Sequence, residues 1–170
     1  NPSPLYQLPL AGLFPHLIAV PVTGMARGVN DTCVETMRSR ISTYDKSVVS
    51  AHSTSQLRVS NAMAAADMAM AVILNSCREA ETIAALGEIP SIEAKMRWRR
   101  DAAFVTSNVV QYADQLCRSQ GGGSIYKNNP LQQKYRDMRA GLTHIGVSND
   151  INGVSYGRIA LGFEPDNPMI

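Results

Sequence analysis

The feature that most constrains this chain is an unbroken apolar stripe. Val59, Met63, Ala66, Met70, Ile73, Cys77, Ala80 and Ala84 recur at alternating steps of four and three residues. Only a helix brings such positions to one side. A stripe held for about seven turns demands a partner along its whole length. Gly87 and Pro90 end that helix, and Ser91 reads as the N-cap of the next. Ala94 stands where a capping box would place Glu, although Glu93 still suits the positive end of the helix dipole.

The same spacing returns twice. Trp98, Ala102, Val105, Val109, Tyr112 and Leu116 carry a third helix to about Ser119, and GGGSIYKNN at 121–129 is a loop by composition. Pro130 suits the first turn of a fourth helix, striped by Leu131, Tyr135, Met138, Leu142 and Ile145. The first helix is less regular. Ile18, Val22, Met25, Val29 and Thr32 form its face, and Gly24 and Gly28 permit close approach. Pro15 and Pro21 imply a kinked or broken first half. The tail at 151–170, with Gly153, Gly157, Gly162, Pro165 and Pro168, reads as extended or a short helix. No segment alternates with period two. The expected fold is all-α, an up-down four-helix bundle with helices near 10–42, 53–87, 91–120 and 130–148, in one domain over 1–170.

With 45% apolar and 18% charged residues the chain has ample side chain for a core, which excludes a disordered class. A net charge of +2 gives no ground for a nucleic-acid or membrane-surface partner. The apolar run from Leu8 to Ala26 is interrupted by Pro9, Pro15, His16 and Pro21. It reads as a buried helix entrance rather than a membrane span or a signal peptide. Cys33, Cys77 and Cys117 are dispersed and lack CxxC spacing, so they read as free buried thiols in a reducing cytoplasm. No Glu-x-x-His pair supports a di-metal site in the bundle, and no metal site is expected. The GGG at 121–123 has no GKS or GKT after it, so it is not a Walker loop.

Among His16, His52 and His144, the last stands out. A continuous fourth helix would set His144 on the line of Asp137, Gly141 and Ser148, one residue off the core stripe. By pattern alone a partly exposed structural histidine accounts for it, although an imidazole on a pocket wall can also exchange protons near neutral pH. The basic cluster Lys95, Arg97, Arg99 and Arg100 reads as a solvated face or a subunit contact, without a function of its own.

The stretch GGGSIYKNNPLQQKYRDMRAGLTHIG resembles the C-terminal domain of the acyl-CoA dehydrogenase superfamily, and TGMARG and QLRVSNAMAAADMA agree with it in order along the chain. The resemblance implies that this bundle is the C-terminal part of a longer flavoenzyme, preceded by a helical domain and a β-domain. It also implies a homotetramer, and long stripes on several helices point the same way, since four helices cannot bury them all internally.

The dehydrogenases place a catalytic Glu at the position of Ile145, which cannot accept a proton. His144 falls where flavin-dependent monooxygenases of this fold, of the p-hydroxyphenylacetate hydroxylase oxygenase type, carry a His. The resemblance therefore implies a two-component system. Its oxygenase takes reduced flavin (FMNH2 or FADH2) from a separate flavin reductase and hydroxylates an aromatic small molecule, a phenol above all. His144 would then deprotonate the substrate or stabilise the oxygen adduct of the flavin. Gly121, Gly122, Gly123 and Ser124 match the family loop whose backbone approaches the phosphate side of a neighbouring subunit's flavin. Glycine suits that role because the main chain must come close to an anion. The dehydrogenase Arg and Phe-Gly before the second helix are missing from DKSVVSAHSTSQ. Ser50, Ser53 and Gln56 are the positional candidates for the phosphate partner there. Two other readings stay open: an acyl-CoA dehydrogenase-like FAD oxidoreductase with its base elsewhere, and a non-catalytic helical oligomerisation domain.

Overall fold

A computed structural model of the chain describes residues 3–165. These form five helices, α1 (Leu10–Ser39), α2 (Ser53–Ala85), α3 (Ile92–Arg118), α4 (Pro130–Leu142) and α5 (Asn149–Ala160). The only β pairing among them is a single bridge between Ile41 and Val48. Cross-contacts fix the directions. Asn30 meets Ala62 and Arg27 meets Asp67, so α1 and α2 are antiparallel. Ala11 meets Arg99 and Cys33 meets Cys117, so α1 and α3 are parallel. Thr32 meets Lys134 and Val22 lies against Gly141, so α4 runs back along α1. The first four helices are thus an up-down bundle, as the stripes predict, and α5 packs across the N-terminal half of α3.

The stripes supply much of the core, but the buried face of α2 is shifted toward Ala62, Ala65 and Ala69, leaving Val59, Met63, Met70 and Cys77 half-buried. Val22, Ala26, Val29, Ala66, Val109, Leu116 and Met138 are buried together, with Tyr112, Tyr135 and Val59 packed around them. Trp98 is fully buried at the other end, its indole N–H donating to Glu79 Oε2 at 3.0 Å while Arg97 holds Oε1 at 2.6 Å. Ser91 caps α3 through Ala94 N–H, and Asn129 caps α4 through Leu131 N–H ahead of Pro130. The three thiols are free. Cys33 and Cys117 face each other in the core at 3.8 Å, and that pairing together with burial pushes the Cys33 thiol up.

Three expectations need correction. First, α1 is not broken: it runs as one continuous helix through Pro15 and Pro21. A proline has no N–H and so deprives the carbonyl four residues back of its partner. For Pro15 that carbonyl is Ala11 O, and the Arg99 guanidinium takes it. Second, the basic cluster is no solvated face. Arg99 is buried, Arg97 is bonded to Glu79, and Arg100 lies 4.0 Å above the Tyr156 ring while pairing with Asp101. Third, the fourth helix stops at Leu142 rather than near 148. His144 is extended (φ −67°, ψ 131°), a short 3-10 turn follows at Ile145–Val147, and Ser148 caps α5. The stripe's last member, Ile145, turns outward and is 68% exposed. The first part of the tail is the short helix α5, while Pro168 lies outside the described residues.

By length and hydropathy alone, α1 and α2 match the requirement for crossing a membrane. In the bundle α1 buries polar Asn30 and Thr23 among its core contacts, whereas α2 leaves Leu57, Met68 and Leu74 exposed.

Two outcomes follow from this packing. A Cβ built on Gly141 would lie 2.6 Å from Cγ2 of the fully buried Val22. Gly141→Ala should therefore lower stability by about 1–3 kcal/mol, read as a lower melting temperature, because a branched core side chain has no room to yield. His16 is buried, and burial pushes its imidazole below its ordinary range. The unfolded chain binds this proton at ~6.5 and the folded chain only at lower pH, so stability should fall as pH drops below that value. His16→Leu should flatten that part of a denaturation series recorded between neutral and mildly acid pH.

Candidate functional site

His144 sits at the joint between α4 and α5, beside the N-terminal part of α1. Its ring lies 5.8 Å from the Phe14 ring, tilted by 44°, and the residue is exposed. The extended backbone there lets the side chain reach forward over the next turn, and Nδ1 accepts the Gly146 N–H at 3.0 Å. That bond settles the tautomer: an accepting Nδ1 carries no proton, so the neutral ring is protonated at Nε2. The His144 ring thus presents an N–H donor. Using Nε2 as a base would require moving the proton to Nδ1 and breaking the bond to Gly146.

The glycine loop lies at the other end of the bundle. Gly121 has φ +73°, and a Cβ there would meet the Arg40 guanidinium at 2.8 Å. Gly122 and Gly123 begin a 3-10 turn and have nothing within 4 Å of a would-be Cβ, so their main chain is approachable. Beside them a groove of about 490 Å³ is lined by apolar Cys117, Ile125 and Leu131 and by Gly121, Ser124, Gln132, Tyr135, Arg118, Arg136 and Arg139. Buried Asp114 organises one wall, accepting from the Tyr135 hydroxyl and pairing with Arg118 at 2.7 Å. That hydrogen bond to Asp114, with burial, pushes the Tyr135 phenol up, so the hydroxyl stays a donor. Among the described residues no carboxylate pairs with Arg136 or Arg139. Three guanidiniums against one carboxylate, next to open glycine backbone, form a donor set suited to a phosphate group.

The other candidates only partly converge. Ser50 and Gln56 line a second groove of about 370 Å³ with Met37, Arg38 and buried Ser55, and Gln56 donates to Ser50 O at 3.2 Å. Ser53 is exposed at the start of α2 and does not line this groove. Arg40 ties the two regions together, donating to Ser119 O at 3.2 Å while its own carbonyl accepts from Val49 N–H. These sites share one end of the bundle. His144 lies at the level of Phe14, and Arg40 is 26 residues further along α1, about 39 Å at helical rise.

Sequence reasoning missed Arg118, Arg139 and Phe14, and it took Arg99 for a surface charge. A signal for Arg99 was available, since a proline inside a helix frees a carbonyl that some donor must reach.

The C-terminal domain model of acyl-CoA dehydrogenases matches residues 16–149. The chain is 26% identical over its full length to the flavin-dependent monooxygenase oxygenase subunit HsaA of Rhodococcus jostii, covering 45% of that protein. It is 27% identical to the oxygenase component of the FADH(2)-dependent resorcinol hydroxylase of a Rhizobium species, over 95% of this chain and 41% of the relative. The crystal structure of 3-HSA hydroxylase from Rhodococcus sp. RHA1 superposes with a TM-score of 0.87 at 26% identity, over 99% of this chain and 42% of that one. XiaF from a Streptomyces species, in complex with FADH2 and glycerol, shares the fold at a TM-score of 0.92 and 20% identity, over 99% of this chain and 43% of that one. The chain thus spans less than half the length of the relatives it matches. With the bundle direction, the glycine loop and the family match in agreement, the chain belongs to the acyl-CoA dehydrogenase C-terminal domain family.

Proposed function

We propose that this chain is the C-terminal domain of the oxygenase component of a two-component flavin-dependent monooxygenase. It hydroxylates an aromatic substrate, a phenol above all, with FADH2 delivered by a separate flavin reductase. The observation that carries this reading is His144: where a dehydrogenase needs a carboxylate base, this chain has exposed Ile145 and, one residue earlier, a ring whose Nε2–H is free to donate. The names of relatives that act on resorcinol or depend on FADH2 support the substrate class and the choice of FAD. Reduced flavin, when bound, supplies the electrons that activate O2. His144 contributes an N–H donor that stabilises an anionic oxygen among the reactants, a phenolate included, and Phe14 forms an apolar wall beside it. Arg118, Arg136, Arg139 and the main chain at Gly121–Ser124 hold the phosphate end of a flavin, with Ser50, Ser53 and Gln56 as secondary candidates nearby.

A separation of about 39 Å along α1 is longer than a flavin dinucleotide. His144 and the glycine loop of one chain therefore serve two different flavins. That supports a homo-oligomer, a tetramer in our reading, in which each flavin is shared between subunits. The exposed apolar side chains of α2 suit burial between copies. The free, closely facing Cys33 and Cys117 fit a reducing cytoplasm.

In the full-length protein His144→Ala should reduce product formed per O2 consumed by roughly 10²-fold, the scale of a positioned hydrogen-bonding or acid–base group. The melting temperature should barely move, because the ring is exposed. An unchanged yield with a large loss of thermal stability would make His144 structural and overturn the reading. Shared sites give an independent check: His144→Ala and Gly122→Val, each inactive alone, should recover activity when co-expressed in mixed assemblies.

A further inference from the structure

The joint that holds His144 is itself held from inside the protein. Gly146 is engaged at both ends: its N–H donates to His144 Nδ1, and its carbonyl accepts from Asn152 Nδ2 at 3.1 Å. The same Nδ2 reaches Ser148 O at 2.8 Å, and Asn152 Oδ1 accepts from Arg99 Nε at 3.1 Å. Asn152 is 1% exposed and its amide is fully used, two donors on two carbonyls and the oxygen on a cation. Arg99, buried, orients that amide, since only the oxygen can face a guanidinium. Arg99 is anchored in turn by Ala11 O, the carbonyl freed by Pro15. Asn is a poor residue for the interior of a helix, so its presence in α5 calls for a reason beyond helix formation. Space is tight as well, for a Cβ on Gly146 would lie 3.1 Å from both His144 Nδ1 and Phe14 Cε1.

We propose that Asn152, oriented by buried Arg99, is a positioning residue for His144. It pins the Gly146 turn so that the Gly146 N–H keeps Nδ1 occupied and the ring presents Nε2–H. Its functional consequence rests on the reading of His144 as a donor in the monooxygenase reaction. The positioning itself can be tested without flavin or substrate.

Diethyl pyrocarbonate attacks the unprotonated nitrogen of a neutral imidazole. In the intact apoprotein that nitrogen of His144 is covered by the Gly146 N–H, and peptide mass spectrometry reads its rate of modification. Asn152→Asp keeps shape and the acceptor for Arg99 but turns an oxygen toward the Gly146 and Ser148 carbonyls. Labelling of His144 should rise roughly ten-fold, the scale of one lost hydrogen bond, with His52 unchanged as the internal reference. Gly146→Ala attacks the same joint from the other side without touching Asn152 or Arg99, and should give the same rise. Unchanged labelling in the variants, with helical circular dichroism retained, overturns the proposal. Faster labelling in Asn152→Asp beside full hydroxylation in His144→Ala upholds the positioning and rejects the monooxygenase role of His144. Loss of hydroxylation in His144→Ala beside unchanged labelling in both joint variants does the reverse.

Discussion

The architecture around the candidate site depends on one buried cation. Arg99 has no carboxylate partner among the described residues, and burial pushes its guanidinium below its ordinary range. A buried charge is expensive unless dipoles compensate it. Here they come from Ala11 O on α1 and Asn152 Oδ1 on α5, so one side chain of α3 joins the two elements that flank the joint. The dependence is mutual. Pro15 leaves α1 with a carbonyl that needs a donor, Arg99 needs acceptors, and the amide of Asn152 needs a donor opposite its oxygen. Each of the three would be costly alone in a dry interior, and together they leave no group among them without a partner.

This explains which parts of the fold are legible in the sequence. Stripes such as Val59 to Ala84 record packing along a whole helix, so α2 and α3 appear within a few residues of their observed ends, and Ser91 and Pro130 mark the starts of α3 and α4 by local chemistry. The end of α4 is set differently. Leu142 and Ile145 continue the helical spacing perfectly, yet the chain leaves the helix between them because His144 and Ser148 each bond a backbone N–H further on. Periodicity cannot register a competition between a side-chain acceptor and the helix's own carbonyls. Arg99 was misread for a related reason, although Pro15 hinted at a carbonyl in need of a donor. Charge patterning assigns four basic residues in six to solvent, whereas one sits above a gap that a proline made on another helix.

The candidate site shows the same division. His144 and the 121–124 loop stand out as candidates from motifs, because their chemistry is written in residue types. Their relation in space does not. It follows from α4 running back along α1, which puts the joint and the loop at opposite ends of one bundle. In the proposed function, a chain with His144 at one end and the glycine-loop groove at the other completes neither site alone. In that reading assembly completes the sites as well as covering the exposed apolar side chains of α2.

The difference between His144 and Ile145 also takes on a physical meaning beyond a substitution in a motif. In a continuous helix neighbouring residues differ by about 100° in direction, and a histidine one place before a lost base would face elsewhere. In this chain the helix has already ended. His144 occupies an extended cap, its ring lies over the turn that follows, and Ile145 projects outward. A capping imidazole with Nδ1 committed to the backbone is limited to donating from Nε2. That role stabilises negative charge on oxygen but does not abstract a proton from carbon. In the proposed function, the hydrogen bond made just beyond the fourth helix suits His144 to donating toward an oxygen anion rather than to the proton abstraction proposed for the dehydrogenase base.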